Sequence, residues 1–142
     1  MKQMILTALI PFLVSPAVFA EGDFVVVAHK SFPVESISSV DVKDVFLGDK
    51  TFVDGNVRVR AVRLPDSSDL TTNFVQKYLS MSMDQFLLHW RRRMFSGRGV
   101  PPRVVGNQDE LAKYVSENQN AVGYLNKGDL SAHKDLKEIK IK

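Results

Sequence analysis

The hydrophobic positions of the chain follow two different spacings, one typical of β-strands and the other of α-helices. Residues 24–28 form a continuous apolar run rich in β-branched residues, which predicts a strand buried on both faces. Residues 57–62 and 136–141 alternate between apolar and charged positions, and residues 121–125 are mostly apolar. We predict a strand in each of these segments and a shorter one at 104–105.

Four segments between these strands have the spacing and the starting residues of helices. Ser38, Ser82 and Asn107 each stand three residues before an acidic or amide residue, a pattern typical of a helix N-terminus. A further helix is expected after the polar turn 66–69, and Gly48 would end the first helix. The residues predicted to face the core on these helices are Val42, Val45, Phe46, Leu70, Phe74, Tyr78, Phe86, Trp90, Met94, Leu111, Tyr114 and Val115.

The elements follow one another in the order β-α-β-α-α-β-α-β-β. Strands that alternate with helices predict an α/β fold, with a mixed sheet flanked by helices. The chain has 142 residues, of which 44% are apolar and 25% charged, and this ordinary globular composition leaves room for one domain.

The first twenty residues have the pattern of a secretory signal peptide. Lys2 is the only charge among them, residues 4–14 are mostly apolar, and small residues stand at the −1 and −3 positions of a cleavage site after Ala20. The alternative is an uncleaved membrane anchor, but the apolar run is shorter than the ~20 residues that a spanning helix needs. We predict a signal peptide over 1–20, a single domain over 21–142, and no membrane span after cleavage.

Composition and motifs exclude several kinds of chemistry. The chain has no cysteine, which rules out disulfides and thiolate chemistry, and in an exported protein this fits a bacterial periplasm. The net charge of +3 is too small to indicate a nucleic-acid partner. Residues 123–128 have the glycine spacing of a phosphate-binding loop, but Asp129 replaces its lysine. The three histidines lack metal-ligand spacing, so we predict no enzyme, no catalytic residues, and no metal or cofactor.

A first candidate site lies where a strand is predicted to end and a helix to begin. Arg63 precedes the polar turn, which contains Ser67 and Ser68. Backbone N–H groups at a helix start, serine hydroxyls and a guanidinium group all bind oxyanions. We take Arg63, Ser67 and Ser68 as candidate anion-binding residues. The alternative is an ordinary serine N-cap beside a surface arginine.

A second candidate is a run of arginines at 91–93, followed by Arg98 and Arg103 with no acidic residue between them. Such a run is a candidate surface for phosphate-bearing polymers or lipids. The alternative is a solvated helix face, because three consecutive residues point around a helix rather than along one side of it.

Several segments together resemble the periplasmic phosphate-binding proteins of ABC transporters, which have a type 2 solute-binding fold. These segments are VKDVFLG at 42–48, the Asp-Gly turn at 54–55, RLPDSSD at 63–69 and NAVGYL at 120–125. The resemblance extends over about 24–125 and includes short exported proteins that carry one lobe of that fold. It implies a single lobe of the type 2 fold, with phosphate or another small oxyanion held by Arg63 and Ser68.

The turn departs from the phosphate binders at Asp69 and Leu70, and an extra residue separates Arg63 from Asp66. Their segment after the arginine reads Asp-Gly-Ser-Gly-Thr, whereas Asp69 here stands in place of the second glycine and Leu70 in place of the threonine. A carboxylate therefore stands where the anion would approach, and one hydroxyl donor is absent. Those proteins also enclose their solute between two lobes, and this chain has length for one.

Three functions compete on this basis. The first is an exported solute-binding-like protein that binds phosphate or another oxyanion for ABC-type uptake or sensing. The alternative is a protein-interaction module of the cell envelope that has lost solute binding, with an envelope or transporter protein as its partner. The third is an arginine-rich surface that holds a polyanion such as lipopolysaccharide. The resemblance favours the first, and Asp69, Leu70 and the single lobe favour the second.

Overall fold

The computed structural model describes residues 23–142, so the predicted signal peptide lies outside the described residues. The strands are β1 (Phe24–His29), β2 (Ser36–Ile37), β3 (Phe52–Val53), β4 (Val57–Arg58), β5 (Arg60–Arg63), β6 (Arg103–Val104), β7 (Ala121–Asn126) and β8 (Leu136–Ile141). The α-helices are α1 (Ser39–Phe46), α2 (Asp69–Phe74), α3 (Met83–Phe95), α4 (Gln108–Glu117) and α5 (Lys127–Leu130). A π-helical segment, Val75–Leu79, continues directly from α2.

Six of the strands form one mixed sheet in the order β2-β8-β1-β7-β5-β6. β1 pairs antiparallel with β7 and β8, whereas β5 runs parallel to β7 and β6. In this register Val26 lies opposite both Tyr124 and Ile139. β3 and β4 form a separate two-stranded ribbon. The prediction of an α/β fold with a mixed sheet flanked by helices is confirmed.

The two central strands are buried on both faces. Residues 25–28 of β1 and 121–125 of β7 are all buried, as their apolar runs predict. Gly123 lets α4 approach the sheet closely, because a Cβ atom there would lie 2.8 Å from Val62 Cγ1 and 2.9 Å from Leu111 Cδ2. A larger residue at this position would push the helix away from the strands.

An aromatic layer packs α1 and α2 onto β7. The Phe74 and Tyr124 rings are stacked with their centroids 4.3 Å apart, and Phe46 lies 4.6 Å from Phe74. All three rings are almost completely buried. Rings of this size supply much of the apolar burial in a domain of this length.

Side chains cap the three longer helices where the sequence predicts it. The side-chain oxygens of Ser38, Ser82 and Asn107 each accept a hydrogen bond from the backbone N–H three residues on. Gln85 completes a capping box by accepting a bond from the Ser82 N–H at 3.0 Å. These helix starts are local features, which explains why the sequence reveals them.

The predicted strand over 57–62 is wrong as a single element. The chain pairs with β3 up to Arg58 and then leaves the ribbon, so that Arg60 begins pairing with Ala121 of β7. Val59 makes the transition, and its N–H donates to Thr51 O at 2.9 Å. The alternating pattern continues through both strands, so the sequence alone does not show that the two strands belong to different sheets.

The prediction that Met94 faces the core is also wrong. Phe86 and Trp90 are buried on one side of α3, as their spacing predicts, but Met94 is 60% exposed. The last turn of α3 and the loop after it are exposed, so a residue on the buried stripe meets solvent there. Tyr78 and Tyr114, also predicted to be in the core, are half-buried.

Candidate functional site

The candidate anion-binding residues lie at the carboxyl end of β5. Arg63 is the last residue of this strand, and Ser68 is the N-cap of α2. β5 runs parallel to both of its neighbours, β6 and β7. Loops that follow the carboxyl ends of parallel strands are frequent ligand-binding positions in α/β sheets.

The Arg63 guanidinium group is held in a fixed position. Its Nη1 donates to Asp66 Oδ1 at 2.6 Å and to the Leu64 carbonyl at 3.1 Å. The guanidinium carbon lies 5.5 Å from the centre of the Phe86 ring, and 13% of the side chain is exposed. Its other N–H groups have no hydrogen-bond partner among residues 23–142. Part of its donor capacity is therefore free, although Asp66 already supplies one negative partner.

Ser67 and Ser68 lie in the turn between β5 and α2, directly after Asp66, the residue to which Arg63 donates a hydrogen bond. Ser67 is exposed, and the Ser68 N–H donates to the Pro65 carbonyl at 3.0 Å. The Ser68 hydroxyl makes no capping hydrogen bond to α2. The first turn of α2 thus lacks the side-chain cap that α1, α3 and α4 each have. Its backbone N–H groups are an electropositive end that an anion can satisfy.

Asp69 and Leu70 occupy the positions that depart from the family pattern. Asp69 is exposed in the first turn of α2, where its carboxylate interacts favourably with the helix dipole. Leu70 is buried in the core and is therefore not available to an anion. The next residue, Thr71, is fully buried, and its hydroxyl bonds to Tyr124 instead.

A buried tyrosine supports the turn from below, and the sequence interpretation does not assign it this role. The Tyr124 hydroxyl accepts a hydrogen bond from the Leu64 N–H at 3.0 Å and shares one of 2.8 Å with the Thr71 hydroxyl. Burial raises the pKa of Tyr124, and these two hydrogen bonds oppose part of that shift. A tyrosine in an otherwise apolar strand is the only signal that a buried polar partner exists.

A cavity of about 410 Å³ begins at the site and extends along α3. Arg63 and Asp66 form one end of it, and Leu87, Met94 and Val104 line its apolar part. The Arg63 turn therefore borders a concave surface that Arg91 of α3 also lines.

A larger cavity, of about 690 Å³, lies elsewhere, near the start of β5. Lys50, Arg58 and Arg60 line it together with Glu117, and none of the predicted site residues does. Lys50 is already paired with Asp41 at 2.5 Å. We assign the candidate site to the Arg63 turn, because it combines a fixed guanidinium group with an uncapped helix start.

Within residues 23–142 no group of three His, Asp or Glu side chains is placed to hold a metal ion. No helix in the same range has the length and apolar character that crossing a membrane requires.

Comparisons with known proteins identify the fold. It is similar to a phosphate ABC transporter substrate-binding protein from Clostridium perfringens with bound phosphate, at 18% identity and TM-score 0.63 over 84% of this chain and 44% of that one. It is also similar to an ABC-type phosphate transport receptor from Vibrio cholerae, at 19% identity and TM-score 0.64, over 84% of this chain and 46% of that one. A third similar structure is PstS from Borrelia burgdorferi, at 10% identity and TM-score 0.64, over 84% of this chain and 47% of that one.

The chain shares the fold of a part of these substrate-binding proteins. The resemblance in sequence is thereby confirmed for the fold, and the chain spans less than half the length of each of these structures. No protein-family model matches the chain, and no curated protein matches it either. The similar structures are transport substrate-binding proteins rather than enzymes.

Proposed function

We propose that this chain is an exported, solute-binding-like protein that binds phosphate or another small oxyanion at Arg63, Ser67 and Ser68. The observation that carries the proposal is the uncapped start of α2 beside a fixed, largely buried guanidinium group. We propose uptake by an ABC transporter, or sensing, as the process it serves, because the similar structures include phosphate transport receptors.

Each residue of the site has a chemical role in this proposal. Arg63 contributes charge-assisted hydrogen bonds from the N–H groups that Asp66 leaves free. The backbone N–H groups of the first turn of α2 and the hydroxyls of Ser67 and Ser68 supply the remaining donors. Tyr124 holds the turn in place through the Leu64 N–H.

The affinity expected of this site alone is low. A micromolar site corresponds to about −8 kcal/mol, so half of such a site would give about −4 kcal/mol, or millimolar binding. This chain spans less than half of the similar structures, and Asp69 adds like-charge repulsion. A second chain that closed over the site would raise the affinity.

Titration with inorganic phosphate at low ionic strength tests the proposal by calorimetry. Arg63→Ala should weaken binding about 10- to 100-fold, since hydrogen bonds to charged groups contribute ~1.5–3 kcal/mol. Asp69→Gly should strengthen phosphate binding, because it removes a carboxylate that repels the anion. At an effective dielectric constant of about 20, two unit charges 4 Å apart repel each other by about 4 kcal/mol before salt screening.

The matched control is Arg92→Ala, which removes an exposed arginine from another helix and should leave phosphate affinity unchanged. If neither the wild-type protein nor Asp69→Gly binds phosphate, the oxyanion proposal is wrong. The protein-interaction alternative would then replace it.

Export is tested separately. We propose that residues 1–20 are removed and that the mature periplasmic protein begins at Glu21. Mass spectrometry of the exported protein should give this first residue, and retention of Met1 would contradict it.

A further inference from the structure

Exposed apolar side chains are concentrated in one segment of the described chain. Seven large hydrophobic residues within residues 23–142 are exposed, and five of them lie between positions 88 and 104. They are Leu88, Met94, Phe95, Val100 and Val104. Phe95 is 95% exposed, so no neighbouring side chain covers its ring. Scattered exposed apolar residues are normal, whereas a cluster indicates an interaction surface.

The same segment carries unpaired positive charge. Residues 85–108 contain five arginines and no acidic residue. Arg93 is used inside the fold, because it donates to Asp49 Oδ1 at 2.9 Å and to the Gly48 carbonyl at 3.1 Å. Within residues 23–142 the guanidinium groups of Arg91, Arg92 and Arg98 form neither ion pairs nor hydrogen bonds.

The backbone holds this segment in a defined shape. α3 ends in a Schellman motif, in which the Gly97 N–H donates to Met94 O at 3.2 Å and the Arg98 N–H to Arg93 O at 2.9 Å. Gly97 has a φ of 68°, as this motif requires. Phe95 and Arg98 are therefore displayed from a regular helix end, and docking need not order a flexible loop first.

We propose that this surface docks on an anionic phospholipid bilayer. We name it the basic tip and define it by Arg91, Arg92, Met94, Phe95, Arg98 and Val100. Charge complementarity carries the assignment, since the guanidinium groups of Arg91, Arg92 and Arg98 have no ion-pair partner within residues 23–142 and residues 85–108 contain no acidic residue. A bilayer of this kind offers negative headgroups around an apolar interior, and so accepts both parts of the tip.

Docking at the tip would be reversible and peripheral. Each arginine near an anionic leaflet strengthens binding about fivefold, and burial of one aromatic side chain strengthens it about tenfold or more. The tip does not include Arg63, Ser67 or Ser68, but Arg91 and Met94 line the same cavity as Arg63. Competition by phosphate and the Arg63→Ala variant therefore distinguish the two proposals.

Vesicle co-sedimentation tests the proposal. Because the sheet and its core lie wholly within residues 23–142, the test uses the chain from Glu21. One set of vesicles is phosphatidylcholine alone, and the other contains equal parts of phosphatidylcholine and phosphatidylglycerol. We expect binding to the anionic vesicles only, weakening as salt is added.

Two substitutions at the tip separate its apolar and charged parts. Phe95→Ser should reduce anionic-vesicle binding about tenfold, and Arg92→Gln about fivefold. Both side chains are exposed, so unfolding transitions should match those of the wild type. Phe52→Ser and Arg58→Gln, which change an exposed aromatic and an exposed arginine in the β3–β4 ribbon, are the matched controls and should bind as the wild type does.

The remaining outcomes overturn the proposal. Absence of binding to anionic vesicles would remove lipid as the partner, and an acidic protein would then be the next candidate for the tip. Binding that Phe95→Ser and Arg92→Gln leave unchanged would place the lipid contact elsewhere on the chain and would also contradict docking by the tip. Inorganic phosphate should release the protein from vesicles no better than chloride of equal ionic strength. Release specific to phosphate, lost in Arg63→Ala, would place vesicle binding at the Arg63 turn and contradict docking by the tip.

Discussion

The ends of α1 and α3 have the same backbone structure and opposite surroundings. In each, a glycine with positive φ follows the helix, with φ of 80° at Gly48 and 68° at Gly97. The Gly48 N–H donates to Val45 O at 3.2 Å, as the Gly97 N–H does to Met94 O at the same distance. Yet Phe46, at the end of α1, is 1% exposed, whereas Phe95, at the end of α3, is 95% exposed.

The Phe46 ring is buried against Phe74 and Tyr124, and α3 covers the backbone at the same end of α1. Trp90 Nε1 donates to the Phe46 carbonyl at 3.1 Å, and His89 Nε2 donates to the Leu47 carbonyl at 2.8 Å. Arg93 reaches the next carbonyl, that of Gly48. Three side chains of one helix thus satisfy carbonyls that the end of another helix leaves without partners. At the end of α3 the helix's own Ser96 hydroxyl donates to Arg93 O, and the motif stays open to solvent.

The largest expected effect is the loss of the side chain that covers α1. Trp90→Ala should lower the free energy of unfolding by about 3–5 kcal/mol, because it removes a buried indole and leaves a cavity. Phe95→Ala, at the end of α3, should change it by less than about 0.5 kcal/mol. Urea unfolding measures both. Equal losses would show that the two helix ends are not in different environments.

The second-largest effect is a difference in stability cost between substitutions of the glycines that follow the two helices. Gly48→Ala places a Cβ atom 2.6 Å from Trp90 Cη2 at a positive φ, so strain and overpacking together should cost about 2–5 kcal/mol. Gly97→Ala meets no atom within 4 Å, and the strain of its φ alone should cost about 1–2 kcal/mol. Thermal or urea unfolding would compare the two.

A double-mutant cycle sharpens this result. In the Trp90→Ala background the indole that the added Cβ atom would contact is gone, so Gly48→Ala should cost only about 1–2 kcal/mol, like Gly97→Ala. An undiminished cost would mean that the indole is not what excludes a side chain from this position.

The smallest effect distinguishes neighbouring arginines. Arg93→Ala should cost about 1–2 kcal/mol, since it removes hydrogen bonds to Asp49 and to the Gly48 carbonyl from a side chain that is 25% exposed. Arg92→Ala, one residue away and exposed, should change stability by less than about 0.5 kcal/mol. Chemical unfolding resolves the two, and a larger loss for Arg92→Ala would contradict the different roles assigned to them.

The elements that the sequence predicts well depend on near neighbours. The caps at Ser38, Ser82 and Asn107 join groups three residues apart. The continuous apolar runs of β1 and β7 predict that these strands are buried on both faces, as they are. The turn that carries the predicted anion-binding residues is local in the same way, and anion binding there stays a prediction. Arg63 and its partner Asp66 are also three residues apart, so their proximity follows from the turn itself.

The features that the sequence misses depend on distant residues. Tyr124 meets Thr71 across 53 positions, and Arg93 meets Asp49 across 44, so neither contact leaves a local pattern. The exposure of Met94 has the same origin. Its spacing from Trp90 is that of a buried stripe, but whether anything packs on the last turn of α3 is not encoded in that turn.

By itself, the sequence determined the strands β1, β7 and β8, the helices α1 to α4 and where those helices begin, because short-range hydrogen bonding and hydrophobic periodicity act within a few residues. Its motifs also indicated the fold that the chain resembles. Tertiary structure alone decided which of two identical helix ends is covered, which arginines remain free, and what supports the Arg63 turn. These outcomes depend on surfaces brought together from opposite parts of the chain, and only folding makes them neighbours.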